Sequence, residues 1–316
     1  MTSSGTRISG LGVYHPGNLV KNDELAVLAG LDPDWIRNGT GIESRYHAGP
    51  ADDIVAMAIA AGGQALAAAK VAPDEVDLVI LTTSSRRQLM PAAAPQIATG
   101  LGIPAAGAFD LGAVCAGFTY ALSMASNAVA VGQARNVLIT SSERLSDLIG
   151  PEIREPFVIF GDGAGAAVVS ASDEWGIGPV SWGSDGSRAA AIVTEAQDGN
   201  IDRITMQGQA VYRWATGKMP AAAKRACELA GVGLDEIAWF VPHQANLRIV
   251  DALARQLGFA EDRVARDVID TGNTSSATIP LALHRLYENP AVQSGDLALL
   301  IGYGAGLSHA AQVVRL

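Results

Sequence analysis

Cysteine is nearly absent, with two residues, Cys115 and Cys227, in a chain of 316. Two thiols in so long a chain build no disulfide framework, and a reducing, cytoplasmic setting is the simpler expectation. Aromatic residues are also few, at 5% of the chain, while 49% of it is apolar. A core made of small and aliphatic residues suits helices and sheets in close contact. Positive charge is short as well: 22 Lys and Arg against 32 Asp and Glu leave a net charge of −10. Neutralising a phosphate backbone takes a basic surface, so no nucleic-acid partner is expected. Long apolar runs are missing. The longest small-residue stretch, 92–116, is broken by Pro95, Gly100, Gly102, Pro104 and Asp110. A membrane-spanning helix takes about 20 apolar residues, so none is expected. Nor does a basic segment followed by an apolar one open the sequence, and no signal peptide is expected. The histidines show no metal-ligand spacing, and no metal is expected.

What is present shows first as a duplication. Shifted against itself by 161 residues, the chain places "DEVDLVILTTS" from Asp74 on "DEIAWFVPHQA" from Asp235. Each is a buried-strand pattern behind an Ala-rich, helix-like stretch. The same shift places "DLGAVCAGFTYAL" from Asp110 on "TGNTSSATIPLAL" from Thr271, and "ARNVLITSSE" from Ala134 on "GDLALLIGYG" from Gly295. A repeat this long is no solenoid. It predicts two similar α/β halves, 1–170 and 171–316, with buried central strands. The segment from about Arg144 to Phe160 has no counterpart in the second half. Unshared segments of this kind build loops at sites or interfaces.

Three residues attract chemistry. Cys115 lies in a turn between a strand and a helix predicted to end near Gly132. A thiol at a helix N-terminus is expected to have a lowered pKa and to accept acyl groups readily. An inert buried cysteine is the alternative; Cys227, mid-helix, is read that way. His243 follows a predicted strand (Ile237 to Val241) and Pro242, and precedes a helix from about Asn246, a loop edge of the kind that carries function. His15, His47, His284 and His309 are read as surface or core residues. Asn273 lies in the turn "GNTSSA", where Thr274 or Ser275 could cap the next helix. The 161-residue shift sets Cys115 opposite Ser276 and His243 opposite Thr82, so Cys115, His243 and Asn273 can converge where the halves meet. "GDGAGAAVV" (Gly161 to Val169) lacks the Lys-Ser/Thr ending of a phosphate-binding loop, and its glycines are read as close backbone packing.

Taken together, "CAGFTYAL", "FGDGAGAAVV", "VPHQANLRI", "GNTS" and "GYGAGLSHA" resemble the β-ketoacyl-acyl carrier protein synthase III family, over about Ile8 to Leu316. The resemblance implies a thiolase-like fold of two similar halves in five layers, αβαβα, in a homodimer. It implies that Cys115 takes an acyl group from a coenzyme A or acyl carrier protein thioester. A malonyl thioester then decarboxylates, His243 and Asn273 stabilise the enolate oxygen, and the carbanion attacks the acyl-enzyme. It assigns the backbone N–H groups of Cys115 and Ala305 to an oxyanion hole, although the family usually has Gly at the position of Ala305. Trp35 and Arg154 match residues that face the adenine of coenzyme A. Gly39 stands where the family has a further Arg, so part of that clamp is missing and a carrier-bound donor gains weight. Arg213, Arg248 and Arg255 match positions that dock acidic carrier proteins, and Met90 matches a side chain inserted into the partner subunit's acyl pocket. Trp214 and Tyr303 are expected to shape the acyl tunnel, Trp214 alternatively as core. No bound cofactor is implied. The Ala/Gly-rich composition and Gly39 hint at a polyketide starter unit. Two other functions fit the residues less well: acyl transfer to a hydroxyl, amine or carrier without condensation, and a non-catalytic partner subunit.

Overall fold

The computed structural model describes residues 5–88, 90–197 and 201–316. The first half runs β1 (Gly5–Tyr14), β2 (Asn18–Lys21), α1 (Asn22–Ala29), α2 (Pro33–Thr40), β3 (Ser44–His47) and α3 (Ile54–Ala69), then β4 (Leu78–Thr82), α4 (Ala94–Gly100), β5 (Gly107–Leu111), α5 (Gly117–Ala130), β6 (Asn136–Glu143), α6 (Arg154–Ile159) and β7 (Gly163–Ser172). The second half runs β8 (Ser181–Ser184), β9 (Ile192–Gln197), β10 (Ile201–Met206), α7 (Gly208–Ala230), β11 (Trp239–Pro242), α8 (Leu247–Leu257), α9 (Val268–Thr271), α10 (Thr278–Tyr287), β12 (Leu297–Gly304) and β13 (Ser308–Arg315).

Local chemistry sets several of these boundaries. Asp53 accepts the Ala56 N–H at 2.8 Å and starts α3. Asp32 accepts the Asp34 N–H at 3.0 Å and starts α2, with Pro33 in its first turn. Val, Ile and Leu fill β4, β6 and β12, where both faces are covered.

Two mixed sheets result, ordered β1-β7-β6-β4-β5 and β11-β12-β13-β8. In the first, β4 runs parallel to β5 and β6, while β7 is antiparallel to β6 and β1. In the second, β11 and β12 are parallel, and β13 and β8 complete it antiparallel. The period-2 alternation of the strands feeds three cores. Ile80, Val137 and Ile139 meet Trp239, Val241 and Leu300 around α5 and α10, between the sheets. Val79, Leu81 and Leu138 face α3 and α4 on one outer side. Phe240, Leu299 and Ile301 face α7 and α8 on the other. Five layers follow, αβαβα, as expected.

The duplication holds element by element. β4 and β11, β6 and β12, and α5 and α10 each begin 161 residues apart. β7 and β13 begin 145 apart, because the first half carries the extra segment between β6 and β7. Arg45, fully buried, pins that segment by donating to the Val158 carbonyl at 2.6 Å. A division at 170/171 falls inside β7, and the central core joins the halves across it. Among the described residues, no helix is long and apolar enough to cross a membrane.

Candidate active site

Cys115 occupies a single 3₁₀ turn, Val114–Ala116, between β5 and α5. Val114 holds a φ of 46°, a left-handed conformation that costs a β-branched residue energy. The counterpart turn before α10, Ser275–Ala277, repeats the feature with Ser275 at a φ of 50°. Two strained turns, one from each half, therefore meet between the sheets.

The sulfur of Cys115 is buried, and three groups are placed to donate to it when it is ionised: its own backbone N–H, that of Ala305 and the Ser275 hydroxyl. These would stabilise a thiolate. Burial outweighs them, Glu143 adds negative charge, and the thiol is pushed up to about 12. The expected lowering by the helix N-terminus is thus corrected, since α5 begins only at Gly117 and desolvation wins. Burial favours the neutral thiol at Cys115. Space beside it is kept open by Gly304, where a Cβ would stand 2.7 Å from Cys115 Cβ and 2.9 Å from Sγ.

His243 follows β11, its N–H bonded to the Ile301 carbonyl at 2.8 Å. Its Nδ1 lies 2.7 Å from Thr278 Oγ1, and its ring stands edge-on to Tyr303 at 5.3 Å. Burial lowers its pKa to about 3, so the imidazole is neutral. The helix after it opens at Leu247, with Asn246 accepting the Arg248 N–H at 2.9 Å.

Asn273 is clamped by the extra segment. Its N–H bonds the Ile159 carbonyl at 2.9 Å, and its carbonyl accepts the Gly161 N–H at 3.1 Å. The preceding Gly272 has a φ of 64°, and a Cβ there would lie 2.9 Å from Arg45 Cβ and 3.0 Å from the Ile159 oxygen, so glycine is required. Asn273 Oδ1 accepts the Ser275 N–H at 2.8 Å. Neither Thr274 nor Ser275 caps the following helix with its side chain. The Asn273 carboxamide holds the turn through Oδ1, which leaves Nδ2 as a donor toward the cavity.

Cys115, His243 and Asn273 line one cavity of about 680 Å³, with Tyr303 and Ala305. Leu145, Leu148, Val158 and Phe160 of the extra segment make its wall apolar, with Ile204 and Met206 of β10. Trp35, Gly39, Arg213 and Arg248 stand at its mouth. Around Gly39 nothing lies within 4 Å of a would-be Cβ, so the position where the resemblance expects an Arg faces open space. Arg154 is exposed at the start of α6 and is not among the lining residues, whereas its neighbour Glu155 is. Arg255 lies exposed on α8, away from the cavity. Met90 is 85% exposed and outside the lining. Trp214 is core, packed edge-on to Tyr303 and His309. Cys227 is buried in the α7 core. The glycines of Gly161 to Val169 serve close packing as expected: a Cβ at Gly161 would stand 2.6 Å from the Thr271 backbone oxygen, and one at Gly165 2.7 Å from the Pro280 side chain.

Sequence reasoning missed several residues here. Glu143, at the end of β6, is fully buried. Ser84, Ser85 and Ser276 donate hydroxyl hydrogen bonds to its carboxylate at 3.0, 2.7 and 2.8 Å. An acid closing the otherwise buried strand pattern "NVLITSSE" was its only signal. Thr278 and the β9–β10 hairpin gave none.

Two mixed sheets around a buried central helix pair, with Cys, His and Asn converging between duplicated turns, define a condensing enzyme of the thiolase fold. Residues 109–186 and 227–316 match the family descriptions "3-Oxoacyl-[acyl-carrier-protein (ACP)] synthase III" and its C-terminal part. The chain belongs to the 3-oxoacyl-[acyl-carrier-protein] synthase III family. It is 44% identical over 315 residues to β-ketoacyl-[acyl-carrier-protein] synthase III 2 of Streptomyces avermitilis, covering 99% of each chain. To the Mycobacteroides abscessus synthase III it is 44% identical, covering 97% of this chain and 93% of the other. Among solved structures it superimposes on the priming β-ketosynthase of the R1128 polyketide pathway with a TM-score of 0.97, at 43% identity over 99% of this chain and 97% of that one.

Proposed function

We propose that this ketosynthase condenses an acyl group held on Cys115 with a malonyl thioester by decarboxylation, initiating a fatty-acid or polyketide chain. The observation that carries the reading is the convergence of a buried thiol, a neutral imidazole and an oriented carboxamide in one apolar cavity. Cys115 attacks the donor thioester, and the N–H groups of Cys115 and Ala305 hold the oxyanion of the tetrahedral intermediate. The malonyl thioester next loses carbon dioxide. Its enolate oxygen takes hydrogen bonds from Asn273 Nδ2 and from a His243 ring bearing its proton on Nε2. Its carbanion attacks the acyl carbon and releases Cys115.

The family descriptions name an acyl carrier protein, and the exposed Arg213, Arg248 and Arg255 would attract such an acidic partner to a chain that is itself acidic. Coenzyme A is the alternative acyl donor, held by Trp35 and, after a shift of its exposed side chain, by Arg154. The void at Gly39 weakens that grip. A homodimer would bury the exposed Met90 in the partner's acyl pocket. The proposed chemistry uses no bound cofactor and suits the cytoplasm. The division at 170/171 into a Cys-bearing and a His/Asn-bearing half stays part of this proposal.

The test incubates the enzyme with a panel of acyl-coenzyme A and acyl carrier donors plus malonyl carrier protein. Intact mass is expected to show acylation of Cys115, followed by carbon dioxide and β-ketoacyl carrier protein. Acylation without either product would replace condensation by simple acyl transfer.

A further inference from the structure

Glu143 and Cys115 are linked by two serine hydroxyls. The Ser275 hydroxyl is beside the Cys115 sulfur in the same cavity, within its hydrogen-bonding reach. Ser275 Oγ lies 3.3 Å from Ser84 Oγ, and Ser84 Oγ donates to Glu143 Oε1 at 3.0 Å. All four side chains sit where the halves meet, and Glu143 is fully buried. Its partners are the neutral hydroxyls and N–H groups of Thr83, Ser84, Ser85 and Ser276; no ion pair reaches it among the described residues. Arg144, next in sequence, turns away to Asp147 at 3.0 Å. A buried carboxylate without a cation is expensive to keep, so the fold retains it against a cost.

The pseudo-symmetry sharpens the point. The 161-residue shift puts Ser276 opposite Cys115 and Gly304 opposite Glu143. In one half the carboxylate fills the space beside Ser276. In the other, glycine leaves that space open beside the nucleophile.

We propose that the Cys115 proton passes through the Ser275 and Ser84 hydroxyls to Glu143 when the acyl group is taken up, and returns by the same path when the acyl group leaves. The proposal rests on the function proposed above. On uptake the Sγ–carbon bond forms, the donor's carbon–sulfur bond breaks, and the proton moves from Sγ to the Glu143 carboxylate. The departing thiolate takes a proton from water at the open end of the cavity. On condensation the carbon–carbon bond forms, the Sγ–carbon bond breaks, and Glu143 returns its proton to the released Cys115. Among the described residues, the ionisable groups facing the thiol besides Glu143 are His243 and Tyr303. Burial keeps His243 neutral and raises Tyr303, so neither carries a charge there. A thiol this reluctant to ionise in the resting state needs a route for its proton. Ser275 is the catalytic residue of the relay, since it touches the reacting sulfur.

Acyl-Cys115 formation, followed by rapid quench and intact mass between pH 6 and 9, tests the relay. The wild-type rate is expected to stay nearly level. Glu143→Gln should slow it about 100-fold at pH 7, the usual scale for general-base catalysis. Its rate should then climb about tenfold per pH unit as free thiolate takes over. Ser275→Ala, with Glu143 untouched, should do the same, and it decides the matter if the Gln variant fails to fold. Ser85→Ala removes a bond to Glu143 that is shorter, at 2.7 Å, but lies off the path, and should keep the level profile. A Glu143→Gln enzyme faster than wild type would mean that Glu143 acts on the thiol only by repulsion, and the relay would fall. It would fall equally if Ser275→Ala kept the wild-type rate and profile. Absence of any wild-type acylation would overturn both the relay and the function beneath it. Relay behaviour without β-ketoacyl product would leave the relay standing and remove only the condensation.

Discussion

Thr278 has one hydroxyl proton and two acceptors in reach, the Ser275 carbonyl at 2.9 Å and His243 Nδ1 at 2.7 Å. Donation to Nδ1 puts the ring proton on Nε2, the tautomer an enolate-stabilising His243 requires. Thr278→Val keeps the shape and removes the choice. We expect decarboxylation of malonyl carrier protein to fall about 100-fold, the scale of losing one oxyanion donor, with Cys115 acylation largely kept. Carbon dioxide release from preformed acyl-enzyme measures it, and Thr278→Ser should restore most of the rate. At this scale the sequence marked Cys115, His243 and Asn273 correctly as residues that meet, because each lies at the end of a legible strand or turn. Thr278 and Glu143 were not legible. Their place in the site comes from a hydroxyl and a carboxylate facing partners 35 and 58 to 133 residues away.

At the scale of elements, α2 and α8 frame the mouth of the cavity. Gly39 in α2 faces open space. Gly39→Arg should lower KM for an acyl-coenzyme A donor several-fold and leave kcat unchanged, because the added guanidinium binds ground and transition states alike. Steady-state kinetics against the same acyl group on a carrier protein provides the control. On α8, Arg248 and Arg255 stand seven residues apart, two turns of one face, with no ion pair among the described residues. The double change Arg248→Glu and Arg255→Glu should raise KM for the carrier substrate at least about tenfold, or about 1.4 kcal/mol. The wild-type KM should also rise with salt. A small thioester lacking the carrier should be turned over as before. The turns of this scale were half legible. Glycine and asparagine marked them, but the positive φ of Val114 and Ser275 has no signal in residue type.

For the whole molecule, the buried site makes stability depend on pH. His243 is lowered from 6.5 to about 3 by burial. The unfolded chain therefore binds a proton that the folded chain refuses, and stability is lost as pH falls below about 6.5. Asp267, raised to about 6 by burial, works in the opposite sense between about pH 4 and 6, so the total slope mixes signs. The contribution of His243 is isolated by difference: His243→Gln should lose less Tm than wild type between pH 7.5 and 5. On the alkaline side Cys115, raised to about 12, is a thiol in the folded state while the unfolded thiol ionises near 9. Stability should fall above about pH 9, and Cys115→Ser should flatten that fall in thermal melts.

The sequence by itself determined the α/β class, the duplication with its 161-residue period, and the extra segment of the first half, because buried strands and turn residues repeat in order. It also marked the three residues that converge. Only the tertiary structure decided the protonation of Cys115. Local position at the head of a helix predicts a lowered thiol pKa, while burial between two sheets, a property of the assembled halves, raises it. The same assembly brought Glu143 to the Cys115 turn through Ser84 and Ser275, and put open space beside Gly39. Desolvation and contacts across a hundred residues or more belong to the packed molecule and leave no pattern along the chain.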